Sequence, residues 1–287
     1  MHSLGPAVSL VALVTTALFA SPHAPQRHAG ASTPPGHAVP ASFVVTATDY
    51  AYSGVPAEVA AGWVTIRMVN NGHELHMLAT MNVPHGFTAA TLIDSLLHNR
   101  HIPDDMREWG GPNAVAPGDT GSVTMYLPPG QYMLGCFVQS ADKKTHFSKG
   151  MIGVLHVTAT SAKVAPPSST HLVTLSSYAI GTSGPRLRAG VDTLRISNVA
   201  KERHDLVALK VAPGHSVADV LAWFTDPPTG ATAATAVAGT TALHPGEDAY
   251  ITGNFTPGTY VLACWMYKDG KPHAQIGMNH VFTVGAS

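Results

Sequence analysis

The segment "LPPGQYMLGCF" (Leu127–Phe137) recurs 128 residues further along the chain as "FTPGTYVLACW" (Phe255–Trp265). Each copy places a Pro-Gly turn before a short run of apolar and aromatic residues, and each run contains a cysteine. A turn followed by such a run predicts a β-strand. By the two-residue period of a strand, Tyr132, Leu134 and Cys136 share one face, which we expect to point inward.

The repetition extends well beyond this segment. "AGWVTIRMVN" (Ala61–Asn70) aligns with "AGVDTLRISN" (Ala189–Asn198) at the same offset of 128 residues. After its cysteine the second copy is one residue shorter, and the alignment then resumes at an offset of 127 residues. Self-similarity over this length predicts tandem duplicated domains rather than a solenoid of short repeats.

Most segments of each copy are short runs of β-branched or aromatic residues, which predict strands. One segment per copy predicts a helix, at residues 88–99 and 216–224, with Thr88 and Ser216 as N-caps. The expected fold is therefore all-β, with two tandem antiparallel β-sandwich domains that each carry one short inserted helix.

The chain ends and linkers have a distinct composition. Residues 1–24 resemble a secretory signal peptide, because the apolar run Val8–Ala20 is short for a membrane span. A retained N-terminal anchor is the open alternative. We predict a flexible leader at 25–41, a first domain at 42–158, a linker at 159–169 and a second domain at 170–287. The mature protein is expected to be secreted or extracytoplasmic, without a membrane span.

The overall composition excludes some classes of partner. The 287 residues carry a net charge of −1, which argues against a nucleic-acid or anionic-membrane surface. Two cysteines in an exported protein would normally suggest a disulfide. Here Cys136 and Cys264 occupy equivalent strands of separate predicted sandwiches, so an intramolecular bridge between them is disfavoured.

The aligned residues include a set of side chains suited to a soft metal. A thiolate, two imidazoles and a thioether are the ligands of a blue-copper site, where the methionine lies at a long axial distance. The sequence offers this set twice: His76, Cys136, His146 and Met151, and His204, Cys264, His273 and Met278.

Each repeat resembles the cupredoxin (plastocyanin/azurin-like) family across nearly its whole length. The resemblance rests on the order of the candidate ligands, on the "PG-x-Y-x-x-x-C" segment and on the turn "VNNGHELH" (Val69–His76) before the first histidine. It implies a Greek-key β-sandwich, one copper ion per domain or in only one of them, and electron transfer with a redox partner protein. Two features depart from the family: the segment between cysteine and histidine is longer than usual, and the second copy lacks the glycine of the early turn.

Two other functions remain open from the sequence. One is a metal-free binding module in which the Cys-His-Met set is structural. The other is a two-domain copper oxidoreductase with an interdomain site, which is disfavoured because the sequence contains no His-x-His and no histidine next to either cysteine. A non-enzymatic role is therefore favoured. His73, in "HELH", is expected to face solvent or to modify the site.

Overall fold

A computed structural model of the protein describes residues 39–98, 100, 104–223 and 233–286. The predicted signal peptide and most of the predicted leader lie outside these residues. Among the residues described, no helix combines the length and the apolar character needed to cross a membrane.

The described chain consists mainly of strands, with one α-helix in each repeat, as predicted. The elements of the first repeat are β1 (Ala41–Thr48), β2 (Ala51–Ser53), β3 (Glu58–Ala60), β4 (Gly62–Asn70), β5 (Ala79–Asn82), α1 (Ala89–Leu97), β6 (Thr120–Leu127), β7 (Gly130–Gly135), a 3₁₀ helix (Phe147–Lys149) and β8 (Ile152–Thr158).

The second repeat follows the same order. Its elements are β9 (His171–Ser176), β10 (Ala179–Ser183), β11 (Gly190–Asn198), β12 (His204–Val211), α2 (Val217–Trp223), β13 (Ala234–Leu243), β14 (Asp248–Phe255), β15 (Gly258–Ala263), β16 (Tyr267–Lys268), β17 (Lys271–Pro272), a 3₁₀ helix (His273–Ile276) and β18 (Asn279–Val284).

Two of the three larger sheets are mixed, whereas the sequence predicted antiparallel ones; the sheet that contains β12 and β15 is antiparallel throughout, as predicted. The strand orders are β10-β9-β11-β14-β6-β4-β1-β2, β3-β8-β7-β5 and β13-β12-β15-β18. Strand β1 runs parallel to β4, and β9 runs parallel to β11. A parallel pair needs a crossover connection, and the chain between β1 and β4 is long enough to provide one.

The eight-stranded sheet contains strands of both repeats. Strands β6 and β14, which are equivalent in the two copies, pair in antiparallel register at its centre. Val123 lies opposite Ile251, its own counterpart at the 128-residue offset. The pairing therefore has a local pseudo-twofold axis at this residue pair.

The interior lies between the eight-stranded sheet and the two four-stranded sheets. Alternate residues of β4 are buried, and they pack in one hydrophobic cluster with Tyr132, Leu134 and Cys136, which confirms the inward face predicted for β7. The opposite face of β7 is also covered, because Met133 packs in a second cluster with Leu92 of α1. Full burial of a leucine side chain stabilises the fold by about 1.5–3 kcal/mol.

Both predicted N-caps are present. Thr88 Oγ1 accepts a hydrogen bond from the Thr91 backbone N–H at 3.2 Å. Ser216 Oγ accepts one from the Asp219 N–H at 3.2 Å, and the Asp219 carboxylate accepts the Ser216 N–H at 2.7 Å. Each cap satisfies a backbone donor that the first helical turn leaves unpaired.

Candidate metal centres

The loop that carries the first histidine of each set is shaped by a buried asparagine. Asn70 Nδ2 donates to the backbone oxygens of Glu74 and Val115, both at 2.8 Å, and its Oδ1 accepts the Gly72 N–H at 2.8 Å. These bonds fold the chain immediately before His76. Asn198 makes the equivalent three bonds, to the backbone of Glu202, Leu243 and Ala200.

The long segment between cysteine and histidine is a hairpin excursion in both repeats. In the second repeat, β16 and β17 pair across a turn in which Asp269 and Gly270 both have positive φ, as a two-residue hairpin turn requires. The excursion closes where the His273 N–H bonds Met266 O at 2.7 Å. In the first repeat the His146 N–H bonds Val138 O at 2.9 Å in the same way. The extra residues therefore return each histidine to its cysteine.

A 3₁₀ helix then leads from each histidine to the predicted methionine. It ends at Gly150 in the first repeat and at Gly277 in the second, both in the left-handed region that favours glycine. Met151 is fully buried, its N–H bonds His146 O at 3.0 Å, and its O accepts the Cys136 N–H at 3.3 Å. Met278 makes the matching bonds to His273 and Cys264.

In each repeat two ring nitrogens and one sulfur converge. The Nδ1 atoms of His76 and His146 lie 3.0 Å apart, and Cys136 Sγ lies 3.9 Å from the former and 3.4 Å from the latter. We call this group centre 1. Centre 2 is formed by His204, His273 and Cys264, with corresponding distances of 3.2, 3.8 and 3.5 Å.

The size of both triangles fits a metal ion. The point equidistant from the three atoms lies about 2.0 Å from each of them in either centre, which is the length of a metal–imidazole bond and about 0.3 Å shorter than a metal–thiolate bond. The ligand type, two imidazoles and a thiolate with a methionine close by in the chain, suits copper.

The hydrogen bonds of centre 1 also favour a cation between the two rings. His76 Nε2 lies 2.9 Å from the Asp49 carboxylate, and His146 Nε2 lies 2.9 Å from the Glu74 carboxylate. A carboxylate accepts only, so in the neutral rings both Nε2 atoms carry the proton and both Nδ1 atoms present a lone pair. Two lone pairs that face each other at 3.0 Å repel, and either a metal ion between them or an added proton on one ring removes that repulsion.

Centre 2 has a different surrounding. Ser177 occupies the aligned position of Asp49, and His204 Nε2 is buried without a hydrogen-bond partner, 3.6 Å from the Glu202 carboxylate. A second carboxylate, Asp205, replaces Met77 of the first repeat and contacts the Cys264 thiol. Asp205 also accepts the Trp265 N–H at 2.6 Å. The two centres thus share ligands but differ in the groups around them.

The titration of the ligands follows from their burial. Burial raises the pKa of the Cys136 thiol to about 11, and burial followed by the Asp205 carboxylate raises the pKa of the Cys264 thiol even more. Burial lowers the pKa values of His76, His204 and His273. Binding of a metal therefore displaces the proton of the cysteine thiol, whereas these histidine rings are already neutral and do not have to lose a proton.

Neither centre has an open face among the described residues. The six imidazole and thiol ligands are buried, with exposed fractions of 0–4%. Tyr50 packs against His146 with ring centres 4.8 Å apart, and Lys149 lies 4.3 Å above the Tyr50 ring. Tyr178 covers His273 in the same way. These side chains keep water away from the ligand atoms.

Four carboxylates of these surroundings were missed from the sequence. Glu74, Glu202 and Asp205 lie within two residues of a candidate ligand, and Asp49 lies 27 residues from His76, but nothing in the pattern says which side chains turn toward the ligands. His73 is 95% exposed and its ring contacts Asp49 at 3.0 Å, so it both faces solvent and touches the surroundings of the site, as predicted.

Comparison with known proteins finds solved structures that are similar to this chain. No protein-family model matches the chain, and no curated protein matches it. One similar solved structure is an auracyanin from Roseiflexus castenholzii, which is 20% identical and matches 42% of this chain and 98% of its own, with a TM-score of 0.31. Another is an azurin from Methylomonas sp. strain J, which is 18% identical and matches 41% of this chain and 97% of its own, with a TM-score of 0.28. A Cu-containing nitrite reductase from Thermus scotoductus matches over 86% of this chain and 62% of the other, at 15% identity and a TM-score of 0.28.

The chain is thus similar to an auracyanin, to an azurin and to a Cu-containing nitrite reductase. The TM-scores lie below 0.5, and the case for a bound metal rests on the geometry of the ligands.

Proposed function

We propose that this is an exported copper protein of two tandem Greek-key, cupredoxin-like domains, residues 42–158 and 170–287, joined by the linker 159–169. Each domain holds one copper ion. The observation that carries this proposal is the convergence of two Nδ1 atoms and one Sγ atom on a point about 2.0 Å from each, in both repeats.

The buried ligand set favours electron transfer over catalysis. Copper held by thiolate and imidazole supplies a one-electron couple. Among the residues that the structure describes, the covering tyrosines and the buried ligands exclude water and leave no side on which a substrate could reach the ligand atoms. The hairpins and 3₁₀ helices hold the imidazoles in one geometry, so little has to reorganise when an electron enters or leaves. Met151 and Met278 would supply the thioether of such a site and so influence its potential.

The test is a visible absorption spectrum of the purified protein after addition of Cu(II). We expect an intense thiolate-to-copper band that keeps part of its intensity in Cys136→Ser and in Cys264→Ser, and disappears in the double variant. Serine is nearly the size of cysteine, so the variants retain the packing around each site.

Absence of the band from a folded protein with two free thiols, together with absence of bound copper in a metal assay, would refute the proposal. The chain would then be a metal-free binding module. A band with measurable turnover of an oxidisable substrate would instead favour the copper oxidoreductase. Transfer of electrons to a purified redox partner, read as bleaching or recovery of the band, would support the carrier role.

A further inference from the structure

The carboxylate of Asp49 is built into centre 1. Its Oδ1 lies 2.9 Å from His76 Nε2, and its Oδ2 accepts the His73 N–H at 2.8 Å. The Glu74 N–H also points to it, at 3.4 Å. Asp49 thus contacts a ligand of centre 1 on the side away from the metal position, and backbone donors hold it there.

Gly72 provides the space for this contact. A Cβ atom at Gly72 would overlap the Asp49 carboxylate and lie 2.6 Å from His76 Nε2. The second repeat has Ala200 at the position of Gly72 and Ser177 at the position of Asp49. The two differences occur together: the carboxylate is present where the glycine makes room for it, and both are missing from centre 2.

From this pair of differences we propose that the two centres bind copper with unequal affinity, and that Asp49, a positioning residue acting through His76, makes centre 1 the tighter one, so that it fills first. The inference rests on the proposed copper binding and adds an order of loading to it.

The expected difference in affinity depends on the hydrogen bond that the ligand ring makes through Nε2, on the side away from the metal position. A carboxylate that accepts the Nε2 proton fixes the tautomer and the orientation of the imidazole and makes its Nδ1 a stronger donor to a metal. Loss of such an outer partner typically lowers metal affinity about 10–100-fold. Among the described residues, the carboxylate nearest to His204 Nε2 in centre 2 is that of Glu202, at 3.6 Å and beyond hydrogen-bond distance, so this ring has weaker support than His76, which lies 2.9 Å from Asp49.

The experiment measures each centre separately. Cys264→Ser leaves centre 1 and Cys136→Ser leaves centre 2. Each protein is titrated with Cu(II) against a chelator of known affinity, and occupancy is read from the thiolate-to-copper band. We expect centre 1 to bind at least about ten-fold more tightly, and Asp49→Ser in the centre 1 protein to lower its affinity about 10–100-fold. Asp49→Asn keeps the side-chain shape and a neutral acceptor for the His76 Nε2 proton, so it removes only the negative charge and should lower the affinity by less; it serves if the serine variant folds poorly.

The reciprocal change tests the same idea in centre 2. Ser177→Asp combined with Ala200→Gly supplies both the carboxylate and the space, and should raise the affinity of centre 2. Ser177→Asp alone is the matched control, because the Ala200 methyl group would occupy the position that the carboxylate needs; its affinity should stay near that of the parent.

The outcomes separate the two proposals. If neither centre shows the band, copper binding itself fails. If both bind copper with equal affinity, or if Asp49→Ser and Asp49→Asn leave centre 1 unchanged, copper binding stands and the unequal loading by Asp49 is refuted.

Discussion

Replacement of Asn70 by alanine should destabilise the fold by about 3 kcal/mol and remove copper binding from centre 1. The Asn70 side chain is fully buried and makes three hydrogen bonds of 2.8 Å. Each contributes about 1 kcal/mol net, and the truncation leaves the Glu74 and Val115 carbonyls without this donor. Because these bonds shape the loop before His76, its Nδ1 should lose its position relative to Cys136.

The assay is urea unfolding followed by far-UV circular dichroism, with copper titration of the same samples. Asn71→Ala is the matched control, because Asn71 is exposed, and it should stay within about 0.5 kcal/mol of the parent. Asn198→Ala should show an equal loss of stability but should affect only centre 2. A loss below about 1 kcal/mol in Asn70→Ala, or equal damage to both centres, would contradict this account of the loop.

Three further changes test the fold. Burial raises the pKa of Glu108 from its ordinary value of 4.5 to about 7, so the folded state binds its proton more strongly than the unfolded state does. Glu108 therefore contributes a fall in the free energy of unfolding as pH rises from about 4.5 to about 7, whereas the histidines whose pKa values burial lowers contribute a rise. In urea titrations across that range the stability of the parent relative to Glu108→Gln should decline as pH rises, because the histidines are common to both proteins. Leu134→Ala should cost about 2–5 kcal/mol in the same assay, because it opens a cavity in the shared core, and a cost below 1 kcal/mol would show a looser core than described. Gly270→Ala should cost about 1–2 kcal/mol, since alanine is strained at φ +76°, and an unchanged midpoint would speak against that turn.

Much of the fold and of the candidate site follows from local signals in the sequence. The Pro-Gly turns, the two-residue period through Cys136 and the cap residues Thr88 and Ser216 each depend on near neighbours in the chain, and the duplication shows each signal twice. The paired turn "KDGK" around Gly270 likewise indicates a hairpin, which is what brings His273 back to Cys264.

The features that the sequence did not indicate depend on distant parts of the chain. The parallel pairing of β1 with β4 and the pairing of β6 with β14 are set by tertiary packing, which local propensity does not report. Asp49 is 27 residues from His76, and only the folded loop brings the two together. The aligned repeats show that Asp49 and Gly72 of the first copy are both replaced in the second, by Ser177 and Ala200. The sequence does not show that the two positions are in contact; the distances between Asp49, Gly72 and His76 do.

The pairing of β6 with β14 determines how each repeat would behave if it were separated from the other. A strand pair centred on two equivalent residues is the geometry of a symmetric homodimer, here formed within a single chain. Separation of the repeats would leave each with an exposed edge strand whose backbone donors and acceptors are ready to pair with any similar strand. A single repeat, expressed alone, should therefore self-associate through that edge, and the covalent link between the repeats keeps the pairing intramolecular at any protein concentration.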